Sequence, residues 1–185
     1  MPSLVADLLR DLGAACEEIG VEWYLFGAQA ALLHGSTRLT ADVDATVALE
    51  AVPAREFVRV LSKHGFSTRF SDESFIEMTR VVPVVHDRTG LPADLVLAGP
   101  GPEQLFLQRA VWTPIEELSV PVATAEDIIV MKILAGRPKD LEDVGAIVAA
   151  QRHRLDREHV EGLLHDLEEA LAQSDLLPVW HRFSS

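Results

Sequence analysis

Two aspartates separated by a single residue, Asp42 and Asp44, are the residues of this sequence best suited to bind a metal ion. They open the segment 42–49, in which apolar and polar residues alternate with the two-residue period of a strand. That period puts both carboxylates on one face of the strand, close together. Neighbouring carboxylates repel each other unless a cation lies between them, and such oxygen ligands suit Mg²⁺ or Mn²⁺. The pair therefore predicts a divalent-metal site.

A third aspartate, Asp94, stands inside the apolar segment 91–98, which the pattern predicts to be a strand. A carboxylate without a partner is costly in such a setting, so its presence needs a reason. Three carboxylates on neighbouring strands can hold the metal ions of a phosphoryl or nucleotidyl transfer. We therefore expect Asp42, Asp44 and Asp94 to converge on one site.

A break between a predicted strand, 21–26, and a predicted short helix, 28–34, falls at Gly27 and Ala28. A strand that runs directly into a helix brings backbone N–H groups of the helix start close to whatever lies there. Such groups favour an anion, so this break predicts a place for phosphate.

The second half of the chain contributes a lysine and two further aspartates. Lys132 has only apolar neighbours three and four residues away on its predicted helix, which favours a positioned ammonium, with a snorkelling lysine as the alternative. Asp140 and Asp143 share one face of a helix that begins at Pro138. Asp140 either fixes Lys132 or Arg137 through an ion pair, or both acids simply complement the helix dipole.

Composition restricts the partners of the protein. The 185 residues carry a formal net charge of −13, which repels phosphate backbones and anionic lipid and so argues against a broad nucleic-acid or membrane surface. It does not exclude a nucleotide held through a metal ion. One cysteine excludes an internal disulfide framework, and neither a leader nor a membrane-length apolar segment is recognisable. We expect a soluble, cytoplasmic protein.

The order of the elements predicts an α+β fold. Strands alternate with helices over residues 1–123, the predicted core, and residues 124–185 form a helical C-terminal segment packed on it within a single domain. Pro83 predicts that its strand, 80–86, lies at a sheet edge or a bulge. Residues 66–79 give no clear pattern, and from Gly101 onward the chain is predicted to be mostly helical.

Two groups of residues resemble known motifs. Gly27-Ala28, the run Arg38-x-Thr40-x-Asp42-x-Asp44 and the later strand residue Asp94 look like the nucleotidyltransferase superfamily of DNA polymerase β type. Lys132-x-x-Ala135, Arg137 and Lys139-Asp140-x-x-Asp143 resemble the motif of AbiEii-like toxin nucleotidyltransferases and their short relatives. The resemblance covers about residues 20–150 and rests on the order of the motifs.

The resemblance implies a nucleotidyltransferase fold, with a mixed β-sheet flanked by helices. It also implies a metal-dependent enzyme that transfers a nucleotide from a nucleoside triphosphate to an acceptor and releases pyrophosphate, with Mg²⁺ or Mn²⁺ as cofactor. The implied catalytic residues are Asp42, Asp44, Asp94, Lys132 and Asp140. The first three are the implied metal ligands, and Asp94 is alternatively the base toward the acceptor hydroxyl. The implied nucleotide-binding residues are Gly27, Ala28, Arg38, Thr40, Lys132 and Arg137.

Several alternatives stay open at this level. The acceptor is tRNA, a protein side chain or a small antibiotic-like molecule, and an antitoxin protein is an implied partner. Ala28 stands where the superfamily commonly has serine or glycine and offers no hydroxyl to a phosphate. The chain is therefore either an active transferase or an inactive binding or regulatory module with the same fold.

Overall fold

The computed structural model describes residues 3–70, 73–99 and 101–184. The helices of these residues are α1 (Leu4–Ile19), α2 (Gly27–Leu33), α3 (Ala54–Lys63), α4 (Glu73–Thr79), α5 (Pro102–Arg109), α6 (Ala125–Ala135), α7 (Pro138–Gln151), α8 (Arg157–Leu171) and α9 (Leu176–Ser184). The strands are β1 (Glu22–Phe26), β2 (Val43–Ala48), β3 (Phe66–Thr68), β4 (Val81–His86), β5 (Pro92–Leu97), β6 (Val111–Ile115) and β7 (Leu118–Val122).

The described residues divide into two compact units. The first unit contains the residues up to Gln29 and Thr40–Ala123, and it holds all seven strands. The second unit contains Ala30–Leu39 and the residues from Thr124 onward, and it is helical. The segment 30–39 thus belongs with the C-terminal helices, although it lies between strands of the first unit in sequence.

The strands of the first unit form one sheet in the order β3-β4-β5-β2-β1-β7-β6. Two neighbouring pairs, β2–β5 and β1–β7, are parallel, and the others are antiparallel. The sheet is therefore mixed, which confirms the predicted α+β class. Within the part of the chain described, no helix combines the length and apolar character needed to cross a membrane.

The first helix has a defined start and a defined end. Ser3 caps its start, since the Ser3 Oγ accepts a hydrogen bond from the Ala6 amide at 3.2 Å. Gly20 ends it in the left-handed conformation, with φ 71°. Cys16 is buried on the inner face of this helix, and burial raises the pKa of its thiol to about 12. A thiol so difficult to ionise is a core residue and not a nucleophile.

The expectation of mostly helix beyond Gly101 is wrong for residues 111–122. These residues form the hairpin β6–β7, which turns at Glu116 with φ 55°. Each strand is only five residues long and contains a proline, Pro114 or Pro121, and this hides the strand pattern. The unassigned stretch 66–79 contains β3 and α4, with residues 71 and 72 outside the described part.

The expectation that the strand of Pro83 lies at an edge is also wrong, because β4 lies between β3 and β5. The reason is that β3 pairs only up to Thr68 and Val84, one residue short of Pro83. The Pro83 carbonyl still accepts the Arg69 amide at 2.8 Å, and the proline nitrogen lies on the same side, facing the end of β3. A proline is tolerated there because no ladder donor is needed.

Candidate functional site

Two of the predicted strand carboxylates lie side by side in the first unit. Asp44 of β2 and Asp94 of β5 are direct partners in the parallel register of these strands. Their side chains therefore point to the same face of the sheet, from backbones about 4.8 Å apart. Both side chains are partly exposed, whereas the adjacent Val43 and Ala93 are buried. This is the arrangement that a shared cation requires.

Asp42 lies outside the strand, because β2 begins one residue later, at Val43. It is exposed, and its amide N–H donates to the Thr40 hydroxyl at 3.2 Å. The Thr40 carbonyl in turn accepts the Gln29 side-chain amide at 2.9 Å. These hydrogen bonds hold the segment that precedes β2, and through them Thr40 fixes the backbone of Asp42.

Gly27 gives Asp44 its space. It follows β1 directly with φ 68°, a conformation that side chains rarely adopt. A Cβ atom added at this glycine would lie 2.0 Å from the Asp44 Oδ2 and 2.8 Å from the Asp44 Cβ. The glycine is thus required both for the turn into α2 and for the position of the Asp44 carboxylate. The next residue, Ala28, is buried.

Replacing Gly27 by alanine should therefore displace the Asp44 carboxylate. Gly20→Ala is the matched control, because Gly20 has nearly the same φ, 71°, and an added Cβ there meets nothing within 4 Å. Both variants should lose about 1 kcal/mol of stability from backbone strain. Only Gly27→Ala should also weaken Mn²⁺ binding, measured by titration calorimetry. Equal metal affinity in the two variants would show that Gly27 serves the turn alone.

A divalent cation fits the chemistry of these donors. Mg²⁺ is commonly bound through one or two carboxylates, with waters and substrate phosphates completing its coordination. Asp44 and Asp94 supply two such carboxylates on one face. Among the described residues, no group of three or more His, Cys, Asp or Glu side chains is arranged to hold a metal ion. Two carboxylates on one face suit a metal ion whose remaining ligands are waters and phosphate oxygens.

Lys132, Asp140 and Asp143 form a buried ion-pair cluster in the second unit. The Lys132 Nζ lies 2.7 Å from the Asp143 Oδ2 and 3.3 Å from the Asp140 Oδ1. The Lys132 side chain is only 7% exposed, and the side chains of Asp140 and Asp143 are each 2% exposed. Arg137, which is 62% exposed, also pairs with Asp140. Asp140 thus makes both ion pairs that the sequence suggested for it.

Residues 34–38 extend this cluster along α7. The Ser36 Oγ donates to the Asp143 Oδ1 at 2.5 Å, and the Arg38 Nη2 lies 2.9 Å from the Asp143 Oδ2. Gly35 packs so closely that an added Cβ would lie 2.3 Å from the Ala150 Cβ. Ser36 was not identified from the sequence. Its only signal is a small polar residue two positions before Arg38.

The charge state of Asp143 follows from these partners. Burial raises the pKa of its carboxyl, but hydrogen bonds from Arg38, Lys132 and Ser36 outweigh burial and lower the pKa from 3.8 to about 2. Asp143 is therefore ionised at neutral pH, and the cluster combines two carboxylates with the cations Lys132 and Arg38. It is a polar core of the second unit in which each of these charged groups has a partner.

This lowered pKa predicts an acid-sensitive stability. Because the folded pKa lies below the unfolded value, ionised Asp143 stabilises the fold above about pH 4, and the contribution is lost as the pH falls toward 2. The loss attributable to Asp143 should be about 1 kcal/mol at pH 3. Urea unfolding at pH 6 and pH 3 measures it, with Asp143→Asn as the variant that lacks it. The same acid loss in both proteins would assign the effect to other carboxylates.

Comparison with known proteins identifies the fold. Residues 104–182 match the family described as a nucleotidyltransferase of unknown function (DUF6036). This region includes Lys132, Asp140 and Asp143, but not the strand carboxylates. No curated protein sequence matches the chain.

Solved structures give the broader match. The antibiotic-resistance factor ANT(2'')-Ia in complex with adenylyl-2''-tobramycin aligns with a TM-score of 0.60 at 18% identity, over 89% of this chain and 97% of that one. An antigenic nucleotidyltransferase-like protein from Paracoccidioides brasiliensis aligns with a TM-score of 0.55 at 17% identity, over 94% of this chain and 90% of that one. The lincosamide antibiotic adenylyltransferase LnuA, bound to lincomycin, aligns with a TM-score of 0.55 at 16% identity, over 78% of this chain and 96% of that one. The chain has the nucleotidyltransferase fold.

The family match over residues 104–182 and the shared fold both support similarity to the nucleotidyltransferase superfamily. The narrower resemblance to AbiEii-like toxins is not tested by these comparisons and stays a prediction. So do the roles of the individual site residues, whose positions are now known.

Proposed function

We propose that this protein is a metal-dependent nucleotidyltransferase that transfers a nucleotide from a nucleoside triphosphate to a hydroxyl acceptor. The observation that carries the proposal is the pairing of Asp44 with Asp94 on adjacent parallel strands, beside the turn at Gly27. Two carboxylates in this position suit a cation that also binds phosphate. The fold shared with antibiotic adenylyltransferases supports the same reaction class.

In the proposed reaction, Asp42 and Asp44 would hold Mg²⁺ or Mn²⁺, and Asp94 would be either a further metal ligand or the base toward the acceptor. The metal ion would supply charge stabilisation to the reacting phosphates. The turn at Gly27 and Ala28 faces the phosphates with backbone N–H groups, and Thr40 keeps Asp42 in place. The acceptor hydroxyl loses its proton, either to Asp94 or to solvent. Its oxygen then bonds to the α-phosphorus as the bond to the pyrophosphate oxygen breaks.

The second-unit cations have a less direct place in this scheme. Arg38 is 32% exposed and Lys132 only 7%, and both already pair with Asp143. Contact with the triphosphate is what the resemblance implies for Arg38, Lys132 and Arg137. Within the second unit, Lys132 forms ion pairs with Asp140 and Asp143 and so holds the buried cluster together.

The acceptor that fits best is a small, positively charged molecule with a free hydroxyl. The net charge of −13 attracts such a molecule and repels tRNA. Two solved structures with this fold contain antibiotics or their adenylyl adducts, namely adenylyl-2''-tobramycin and lincomycin. A protein side chain is the remaining acceptor class.

The direct test is incubation of the protein with each α-³²P-labelled nucleoside triphosphate, Mg²⁺ and one acceptor class at a time. The acceptors are an aminoglycoside panel, total tRNA and a protein mixture. Label on a small molecule supports the proposal in full, and label on tRNA or protein supports the reaction but overturns the acceptor. Absence of any metal-dependent triphosphate binding would overturn the function itself.

One observation favours a second candidate, an inactive binding or regulatory module. The Ala28 side chain is buried and carries no hydroxyl for a phosphate. Such a module would bind a nucleoside triphosphate with Mg²⁺ and transfer nothing, and Ala28→Ser would be the variant that restores transfer. An antitoxin partner, implied by the AbiEii-like resemblance, would be sought by co-purification with products of adjacent open reading frames.

A further inference from the structure

Arg69 lies in line with the strand carboxylates, although no motif of the sequence includes it. It follows β3 directly, and its amide donates to the Pro83 carbonyl of β4 at 2.8 Å. Pro83 is the register partner of Asp94, and Asp94 is the register partner of Asp44. Four residues from four neighbouring chain segments therefore form one row across the sheet, with Arg69 at one end and Asp44 at the other.

The Arg69 side chain spans this row to reach the carboxylate. Its guanidinium forms an ion pair with Asp94, passing the intervening position of the buried Pro83. The two side chains are 36% and 47% exposed. All of these residues belong to the first unit.

Stability gives little reason for this ion pair. Exposed arginine–carboxylate pairs contribute at most about 1 kcal/mol to folding, and many contribute nothing measurable. Its position gives a stronger reason, since Asp94 stands next to Asp44 and a nearby cation offsets the repulsion between two carboxylates. Arg69 provides that cation from within the protein.

We propose that Arg69 is an internal counterion that holds Asp94 before a metal ion binds and that moves to the triphosphate afterwards. This inference rests on the proposed function. A divalent cation and the Arg69 guanidinium compete for the same Asp94 carboxylate, so Arg69 must release Asp94 when the cation binds. The released guanidinium is planar, permanently charged and suited to phosphate oxygens, and it remains anchored to β4 through its backbone.

The two stages predict effects of opposite sign. Without nucleotide, removal of the Arg69 charge should strengthen Mn²⁺ binding about two- to fivefold, because the competing cation is gone. With Mg²⁺ present, the same change should weaken binding of a non-hydrolysable triphosphate about tenfold or more, because a charge-assisted contact is lost. A residue that only supports the fold would shift both affinities in the same direction or neither.

Titration calorimetry on Arg69→Gln tests both stages, first with Mn²⁺ alone and then with the Mg²⁺ complex of the triphosphate analogue. Arg59→Gln is the matched control, since it removes the same charge from an exposed ion pair, with Glu56 on α3. Arg69→Lys keeps the charge but lacks the planar guanidinium. Its Mn²⁺ affinity should therefore lie closer to the wild-type value than its triphosphate affinity does.

The outcomes separate the inference from the function on which it rests. Tighter Mn²⁺ binding together with weaker triphosphate binding, in Arg69→Gln and not in Arg59→Gln, is the expected result. If the wild-type protein binds both ligands and Arg69→Gln binds them equally well, the inference is overturned and the proposed function stands. Failure of the wild-type protein to bind either ligand overturns both.

Discussion

Asp44→Asn should reduce nucleotidyl transfer about a thousandfold while leaving the protein folded. The change removes a negative charge from the place where Asp44 and Asp94 face each other across β2 and β5. Charge stabilisation by a metal ion at the reacting phosphates is worth several kcal/mol, and about 4 kcal/mol corresponds to a factor of about a thousand in rate. Asparagine has the same shape, so the space next to Gly27 stays filled.

Asp166→Asn is the control for this prediction, because it removes the same charge from a side chain that is 78% exposed on α8. Transfer is measured as α-³²P label moved from the triphosphate to the acceptor, and folding by circular dichroism and urea unfolding. An Asp44→Asn protein that is folded and as active as the control would remove Asp44 from the site and with it the proposed mechanism.

Asp94→Asn distinguishes the two roles open to Asp94. If Asp94 is a metal ligand, Mn²⁺ affinity and transfer should fall together. If it is the base toward the acceptor, the rate should fall with metal affinity preserved, and the pH dependence of the rate should lose its acidic limb. The ion pair with Arg69 disappears in either case, so the comparison with Arg69→Gln shows how much of the effect passes through that residue.

Local chemistry explains why part of the site could be predicted from the sequence. The two-residue period of a strand decides which side chains share a face, so the exposed face of Asp44 and Asp94 followed from their buried neighbours. Gly27 was recognisable because a strand that turns at once into a helix needs a residue free of steric constraint. These inferences needed only a few consecutive residues.

The features that were missed depend on register or on distant contacts. The ion pair of Arg69 with Asp94 exists only because β3, β4 and β5 pair in one particular register, which no short motif encodes. The attachment of Ser36 and Arg38 to Asp143 joins residues more than 100 positions apart. The hairpin β6–β7 was missed because Pro114 and Pro121 obscure two short strands.

The buried cluster of the second unit changes what a substitution of Lys132 is expected to do. The motif alone suggested a lysine whose removal would cost triphosphate affinity in an otherwise intact protein. Helix α6 instead ends at Gly136 in the left-handed conformation, and Pro138 starts α7 immediately afterwards. This reversal brings Asp140 and Asp143 onto the Lys132 ammonium, at 3.3 and 2.7 Å, in a nearly dry environment.

Lys132→Met should therefore lower the free energy of unfolding by about 3–5 kcal/mol, since it leaves buried carboxylates without one of their cations. Methionine keeps the apolar stem, so the loss reports the charge and not a cavity. Arg59→Gln, at an exposed ion pair, should cost less than about 1 kcal/mol in the same urea titration.

A double-mutant cycle separates the ion pair from other effects of the lysine. Asp143→Asn removes the partner charge, so Lys132→Met should cost much less in that background than in the wild-type protein, with a coupling of about 1–3 kcal/mol. Triphosphate affinity, measured under conditions where each variant is folded, then decides the role of Lys132. Retained affinity would make Lys132 a structural residue of the second unit. Full stability with lost affinity would instead mean that the ammonium leaves its two carboxylates to contact the phosphates directly.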